Sequence, residues 1–201
     1  LLRLGAGEAL RMTLIVPDGV SCTLALEVDL DGEGASLDLA GASTGSGTEQ
    51  VDINVIVRHN VPGCRSEQLF KSVVGGSARV SFNGLVYVAP DAVRTVAHQQ
   101  NHSLLLSGTA VAESRPQLEI YADDVECSHG STVGQLNDQA LFYMQQRGIP
   151  LDEARTLLQM AFLDEVIDGI ALEPLRRRLH HLVERRFRGK MRGCDGCAIC
   201  D

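Results

Sequence analysis

The chain has no tryptophan, and Phe, Trp and Tyr together make up only 4% of its 201 residues. A core built without large rings must be filled by Val, Leu, Ile and Ala, and the 44% hydrophobic content is enough to do so. Sugar-processing β-proteins lay aromatic platforms under their substrates, so the shortage of rings argues against that class. Also missing is any apolar run of about 18 residues, the length a membrane-spanning helix needs. The apolar opening is interrupted by Glu8 and Arg11 and does not read as a signal peptide. There is no excess of positive charge: 18 Lys+Arg against 26 Asp+Glu leave a net charge of -8, which argues against nucleic acid as the main partner. No G-x-x-x-x-G-K-[ST] loop is present, so ATP binding of the Walker kind is excluded. A dense disulfide framework is lacking too. Cys22, Cys64 and Cys127 are scattered, and Cys194, Cys197 and Cys200 are bunched at the end. That distribution points to a reducing compartment with free thiols.

What is present divides in two. Residues 1 to about 128 read as all-β. Val51–His59 alternates apolar with polar, the period of a half-buried strand, and so does Leu118–Cys127. Further β-rich runs are MTLIV, CTLALEVDL, ASLDLAG, QLFKSVV, ARVSFNGLVYV and HSLLLSGTAVA, separated by turn signals such as Pro17-Asp18-Gly19, Pro62-Gly63 and Gly75-Gly76. Regular strand spacing without helices fits a sandwich, a barrel or a solenoid of rungs, and no strict repeat chooses among them. After Gly130 the period becomes helical. Asn137 is placed to cap a helix that stops at Gly148, and Pro150 opens a second. In that helix Leu151, Ala154, Leu157, Leu158, Ala161, Phe162 and Val166 form the expected apolar stripe. A third helix, about 175–187, is basic: eight of the eighteen Lys+Arg fall between Arg176 and Arg192, which fits a solvated helix face or a surface for an acidic partner.

Several motifs carry chemistry. In an extended strand, residues i and i+2 face the same way, so Cys127 and His129 of Cys-Ser-His-Gly can share one site. Thiolate plus imidazole suits iron or zinc, but two ligands leave a tetrahedral site half filled. The plainer reading makes Cys127 a small core residue and His129 a turn residue. Cys194-x-x-Cys197-x-x-Cys200 could wrap a metal or cluster, and a redox-active tail is the rival reading. Asp123, Asp124 and Glu126 read as a solvated strand edge, a partner contact or an outer shell for a metal. His98 and His102 read as structural polar residues. Gly41-Ala42-Ser43-Thr44-Gly45 matches a nucleophile elbow in letters alone, because no helix follows it.

The stretch PQLEIYADDVECSHGSTVGQLNDQALFYMQQRGI, residues 116–149, resembles the signature segment of the SufB/SufD family of iron–sulfur cluster assembly proteins. Cys-Ser-His-Gly at 127–130 makes the SufD branch the closer match. Cys64–Val88 and Gln100–Ser107 share the likeness, which runs from about Asn60 to about Ile170. Thr95–Ala97 and Glu113–Arg115 depart from the pattern. The resemblance implies a right-handed parallel β-helix of stacked rungs over 1–130, a small helical ATPase-docking domain over 131–190, and a Cys-rich tail over 191–201. It also implies a non-catalytic, cytoplasmic scaffold that pairs with a SufB-type sister and holds a SufC-type ATPase through its C-terminal helices. By itself the chain would form a homodimer. A transient iron–sulfur cluster would form at the scaffold interface, with Cys127 and His129 as candidate ligands and His129 the stronger. Family members are longer at the N-terminus, so the chain is expected to be a fragment or a trimmed form. An autonomous metal or redox protein working through Cys194, Cys197 and Cys200 is the alternative.

Overall fold

The computed structural model describes residues 1–189. Strands β1 (Leu2–Leu4), β2 (Ala9–Val16), β3 (Cys22–Leu30), β4 (Ser36–Gly45), β5 (Gln50–His59), β6 (Arg65–Val74), β7 (Arg79–Val88), β8 (Thr95–Leu105), β9 (Val111–Ile120) and β10 (Val125–Gln135) precede helices α1 (Asp138–Gln146), α2 (Leu151–Ile167) and α3 (Glu173–Phe187). Odd-numbered strands stack in one sheet and even-numbered strands in the other, and every pairing is parallel. The chain therefore alternates between two sheets and climbs one rung per pair of strands. The result is a β-solenoid of about five turns with the helices appended at its end. This resolves the choice among sandwich, barrel and solenoid. Each of the strands β3 to β8 is satisfied by the rungs on either side, and stacking one rung on the next lets short turns suffice where flat parallel sheets need crossover helices.

Alternation then fixes the core. Inward positions such as Val28, Leu30, Leu39, Val51, Val55, Val57, Phe70 and Phe82 are almost wholly buried, while outward neighbours are partly exposed. Phe70 and Phe82 meet across the lumen with ring centroids 4.7 Å apart. Phe70 has room because Gly41, beneath it on β4, lacks a side chain: a Cβ there would stand 2.3 Å from the ring.

Two expected strands are each divided by a corner. Leu118–Cys127 is the end of β9 and the start of β10, and HSLLLSGTAVA is the end of β8 and the start of β9. Apolar residues continue through both corners, so periodicity alone could not reveal the change of sheet. Cys-Ser-His-Gly does not end a strand either. It lies within β10, whose pairing with β8 continues to Gln135.

Asn137 caps α1 as its position suggested: Oδ1 accepts from the amides of Gln139 and Ala140 at 2.9 and 3.1 Å. Gly148 follows with φ +84°, and Pro150 precedes α2. Helix α2 lies on the outer face of the even-numbered sheet, packing Leu163, Val166 and Ile167 against Ala42, Val73 and Leu104. Its buried face is Ala154, Thr156, Gln159, Leu163, Val166 and Ile167. Of the expected stripe, Ala154 and Val166 are buried and Phe162 packs partly buried against the same cluster, whereas Leu151 and Leu157 are 36% and 37% exposed. The sheet surface is itself partly polar, so it accepts Thr156 and Gln159 and turns some leucines outward.

Charged tethers reinforce this seat. Lys71, 8% exposed, pairs with Glu165 and lies 4.8 Å from the Phe162 ring centroid. Arg186 of α3 pairs with Asp18, whose side chain is only 7% exposed and also accepts from Ser46 Oγ at 2.8 Å. Burial pushes the Asp18 pKa up, but the hydrogen bonds from Arg186 and Ser46 outweigh it and hold the carboxyl below its usual range. Arg188 reaches Glu153 of α2, and His180 sits 3.0 Å from both Asp164 and Asp168. Two of the basic residues at this end, Arg186 and Arg188, are thus neutralised within the chain.

Two outcomes are expected. His59 is fully buried, with Nε2 2.9 Å from Ser66 Oγ, and burial lowers its pKa from 6.5 to about 4. The unfolded chain then binds the proton more readily. The stability that neutral His59 contributes is complete above pH 6.5 and is lost as pH falls toward 4. The loss should approach about 3 kcal/mol, read as a fall in denaturant midpoint between pH 7 and 4 that His59→Leu largely abolishes. Arg186→Met leaves the Asp18 carboxylate buried without its cation and should cost about 2 kcal/mol by denaturant unfolding at pH 7.

Candidate functional site at the open end of the solenoid

Strands β9 and β10 form the last rung. Each pairs with one earlier strand, β7 and β8, and its other edge meets no strand among the described residues. An unpaired edge offers a row of backbone donors and acceptors to another chain. Apolar groups accompany it: Ile120, Tyr121 and Val133 are 40%, 59% and 48% exposed.

Cys127 and His129 lie on this rung. Their register partners on β8 are Ala97 and Gln99, both buried and inward-facing, so the two residues occupy adjacent inward columns at the open end. Cys127 is half-buried against Val86, Val88, Ala92 and Ala97, whereas His129 is exposed. Burial raises the Cys127 pKa, and the charge of Glu126 adds to the rise against an opposing backbone hydrogen bond at Ala97. The thiol is therefore protonated at neutral pH and must lose its proton to become a ligand. Among the described residues, no group of three or more His, Cys, Asp and Glu side chains is arranged to hold a metal. As candidate ligands, Cys127 and His129 would offer two donors, half of what a tetrahedral iron or zinc requires.

The remaining candidates are elsewhere. Glu126 is on the opposite face of β10, 3.8 Å from Nε2 of His98, whose Nδ1 contacts Ser128 Oγ at 2.7 Å. His102 likewise meets Thr132 Oγ1 at 2.7 Å. These histidines brace β10 against β8 on the outer face, as structural polar residues should. Cys64 is buried and donates to the Gly32 carbonyl at 3.3 Å. Gly41–Gly45 is part of strand β4 and forms no elbow. Cys194, Cys197 and Cys200 lie outside the described residues.

Two features escaped the sequence. One is the pair Gln68 and Gln99, stacked directly below His129 in its column. Their spacing along the chain, one rung per step, was the available signal. The other is an exposed apolar surface on the helices: Phe142 and Tyr143 of α1 are 63% and 60% exposed, and Leu172 and Leu175 at the start of α3 are 67% and 44% exposed.

In hydrogen exchange of the isolated chain, the amides of β9 and β10 should exchange at least about tenfold faster than those of β5 to β7, which have neighbours on both edges. Equal protection would mean that the last rung is already covered.

Residues 5–162 match the family described as SUF system FeS cluster assembly, SufBD core domain. The chain is 36% identical over 163 residues to the iron–sulfur cluster assembly protein SufD of Escherichia coli, covering 81% of this chain and 38% of that protein. It is 31% identical over 192 residues to an iron–sulfur cluster assembly SufBD family protein of Mycobacterium leprae, covering 92% of this chain and 49% of the relative. It is 39% identical over 131 residues to the chloroplastic protein ABCI7 of Arabidopsis thaliana, covering 65% and 27%. The chain thus spans less than half the length of these relatives. With a family match over most of its length, and a parallel solenoid followed by helices, the chain belongs to the SufBD core family of iron–sulfur cluster assembly proteins and is a SufD-type member of it.

Proposed function

We propose that this chain acts as a non-catalytic scaffold subunit of a cytoplasmic SUF assembly complex. Its open rung pairs with a SufB-type sister scaffold, and its helices hold a SufC-type ATPase. The nascent iron–sulfur cluster is cargo, held between the scaffolds by Cys127, His129 and donors from the sister. The observation that carries this reading is an incomplete donor pair on a rung with unpaired strand edges. A cluster that must be handed on is better held by a thiol, an imidazole and shared ligands than by four thiolates from one chain. The exposed Phe142, Tyr143, Leu172 and Leu175 suit the helices to a docking role, and the tethers from α2 and α3 to the solenoid give ATPase movements a path toward the interface. When the chain is alone, the same edges serve a homodimer.

The test is anaerobic co-expression of the tagged chain with both partners, followed by iron and sulfide analysis of what elutes. A ternary complex is expected, with His129→Ala retaining the partners but losing on the order of tenfold in bound iron and sulfide. Removal of the Cys194–Cys200 tail should leave the loading unchanged; if the metal disappears with the tail, the alternative of an autonomous metal protein takes over. Phe142→Asp with Tyr143→Asp should weaken ATPase binding about 30-fold or more, the loss of one interface hot spot, without releasing the sister scaffold.

A further inference from the structure

The lumen changes character along the solenoid. Leu39 on β4 is followed in the same inward column by Gln68 on β6, Gln99 on β8 and His129 on β10. Gln68 and Gln99 are 3% and 1% exposed, and Nε2 of Gln99 donates to Oε1 of Gln68 at 3.0 Å. The outer ends of this amide pair, Gln68 Nε2 and Gln99 Oε1, have no partner among the described residues. Stacked amides in a parallel ladder run one way: each donates to one neighbouring rung and offers its carbonyl to the other. Gln99 donates toward the N-terminal rungs, so its carbonyl serves the rung that follows, where the next residue in the column is His129. The amide is also closely seated. It lies against Gly84 of β7, where a Cβ would stand 2.5 Å from Nε2 and 2.6 Å from Oε1. A buried carbonyl without a donor is costly, and an apolar side chain, such as Leu39 two rungs below, would fill the lumen without that cost.

We propose that Gln99, held by Gln68 and by the space at Gly84, is a positioning residue for His129. In the assembled complex its Oε1 accepts the N–H of one imidazole nitrogen. That contact fixes the tautomer and turns the other, unprotonated nitrogen toward the cargo. The proposal rests on the reading of His129 as a cluster ligand.

The experiment uses the chain labelled with ¹⁵N-histidine, in complex with a SufB-type sister and without iron. Long-range ¹H–¹⁵N spectra distinguish the two neutral imidazole tautomers, and His129→Gln identifies the His129 signals among those of the six histidines. The wild type should show one dominant His129 tautomer, and Gln68→Leu with Gln99→Leu should show a mixture. The unfolding midpoint should hold or rise, because both amides and their orphaned ends leave together. Gly84→Ala, which displaces the amide without altering either glutamine, should lose the dominant tautomer. Iron and sulfide loading should fall about tenfold in the double variant. Unchanged His129 signals in the double variant, whatever the midpoint does, would overturn the proposal. If His129→Ala loads normally while the His129 tautomer still depends on Gln99, the positioning contact stands and the cluster-ligand reading fails.

Discussion

Everything in this molecule depends on parallel pairing between a strand and the one a rung earlier. Hydrogen-bonded side chains record the same step: Ser43 to Ser72, His98 to Ser128 and Gln68 to Gln99 lie 29, 30 and 31 residues apart. Once the chain has closed two corners and laid one strand on another, inward and outward faces follow from alternation, and columns of like position build up along the axis. Sideways contacts are secondary. The two sheets touch through side chains, and the helices sit on the outer face of the even-numbered sheet and reach the corner at Asp18. The ends are the weak points of such a stack, because a terminal rung has no neighbour to satisfy its edge.

That weakness is where the donor pair sits. The first two rungs are lined mainly by Val and Leu, such as Val28, Leu30, Leu37 and Leu39, while Ser66, Gln68, Gln99, Asn101 and Ser103 bring polar groups into the lumen toward the open end. Polar burial at that scale needs partners, and several are found inside the chain: His59 with Ser66, Gln99 with Gln68, and Asn101 with Ser114 across the lumen. The lumen is thus better suited to support a polar rung than to seal an apolar one. Helix α2 rides on the outer face of β6 and β8 through Lys71, Val73 and Leu104, and β8 is also the strand on which β10 is laid.

The repeat was present in the sequence but disguised. Gly34 and Gly63 occupy corresponding corners with positive φ, and the next corner of that series uses Arg94 at φ +58° instead of glycine. Substitution at one corner, together with rungs of unequal length, hides a period that strict self-comparison would need. At the opposite corner Gly76 keeps its place because a Cβ would stand 2.7 Å from the backbone of Gly47 one rung below.

By itself the sequence determined the local outcomes. Alternation determined the strands, Asn137 and Gly148 bounded α1, Pro150 opened α2, and the Cys-x-His spacing put both donors on one face of a strand. These follow from chemistry within a few residues, where periodicity and capping act. Only the tertiary structure decided which strands stack, that the chain turns between Ile120 and Val125, that α2 faces the sheet with Thr156 and Gln159, and that Gln68, Gln99 and His129 form one column. Those outcomes depend on contacts between residues a full rung or more apart, and no local pattern carries that distance.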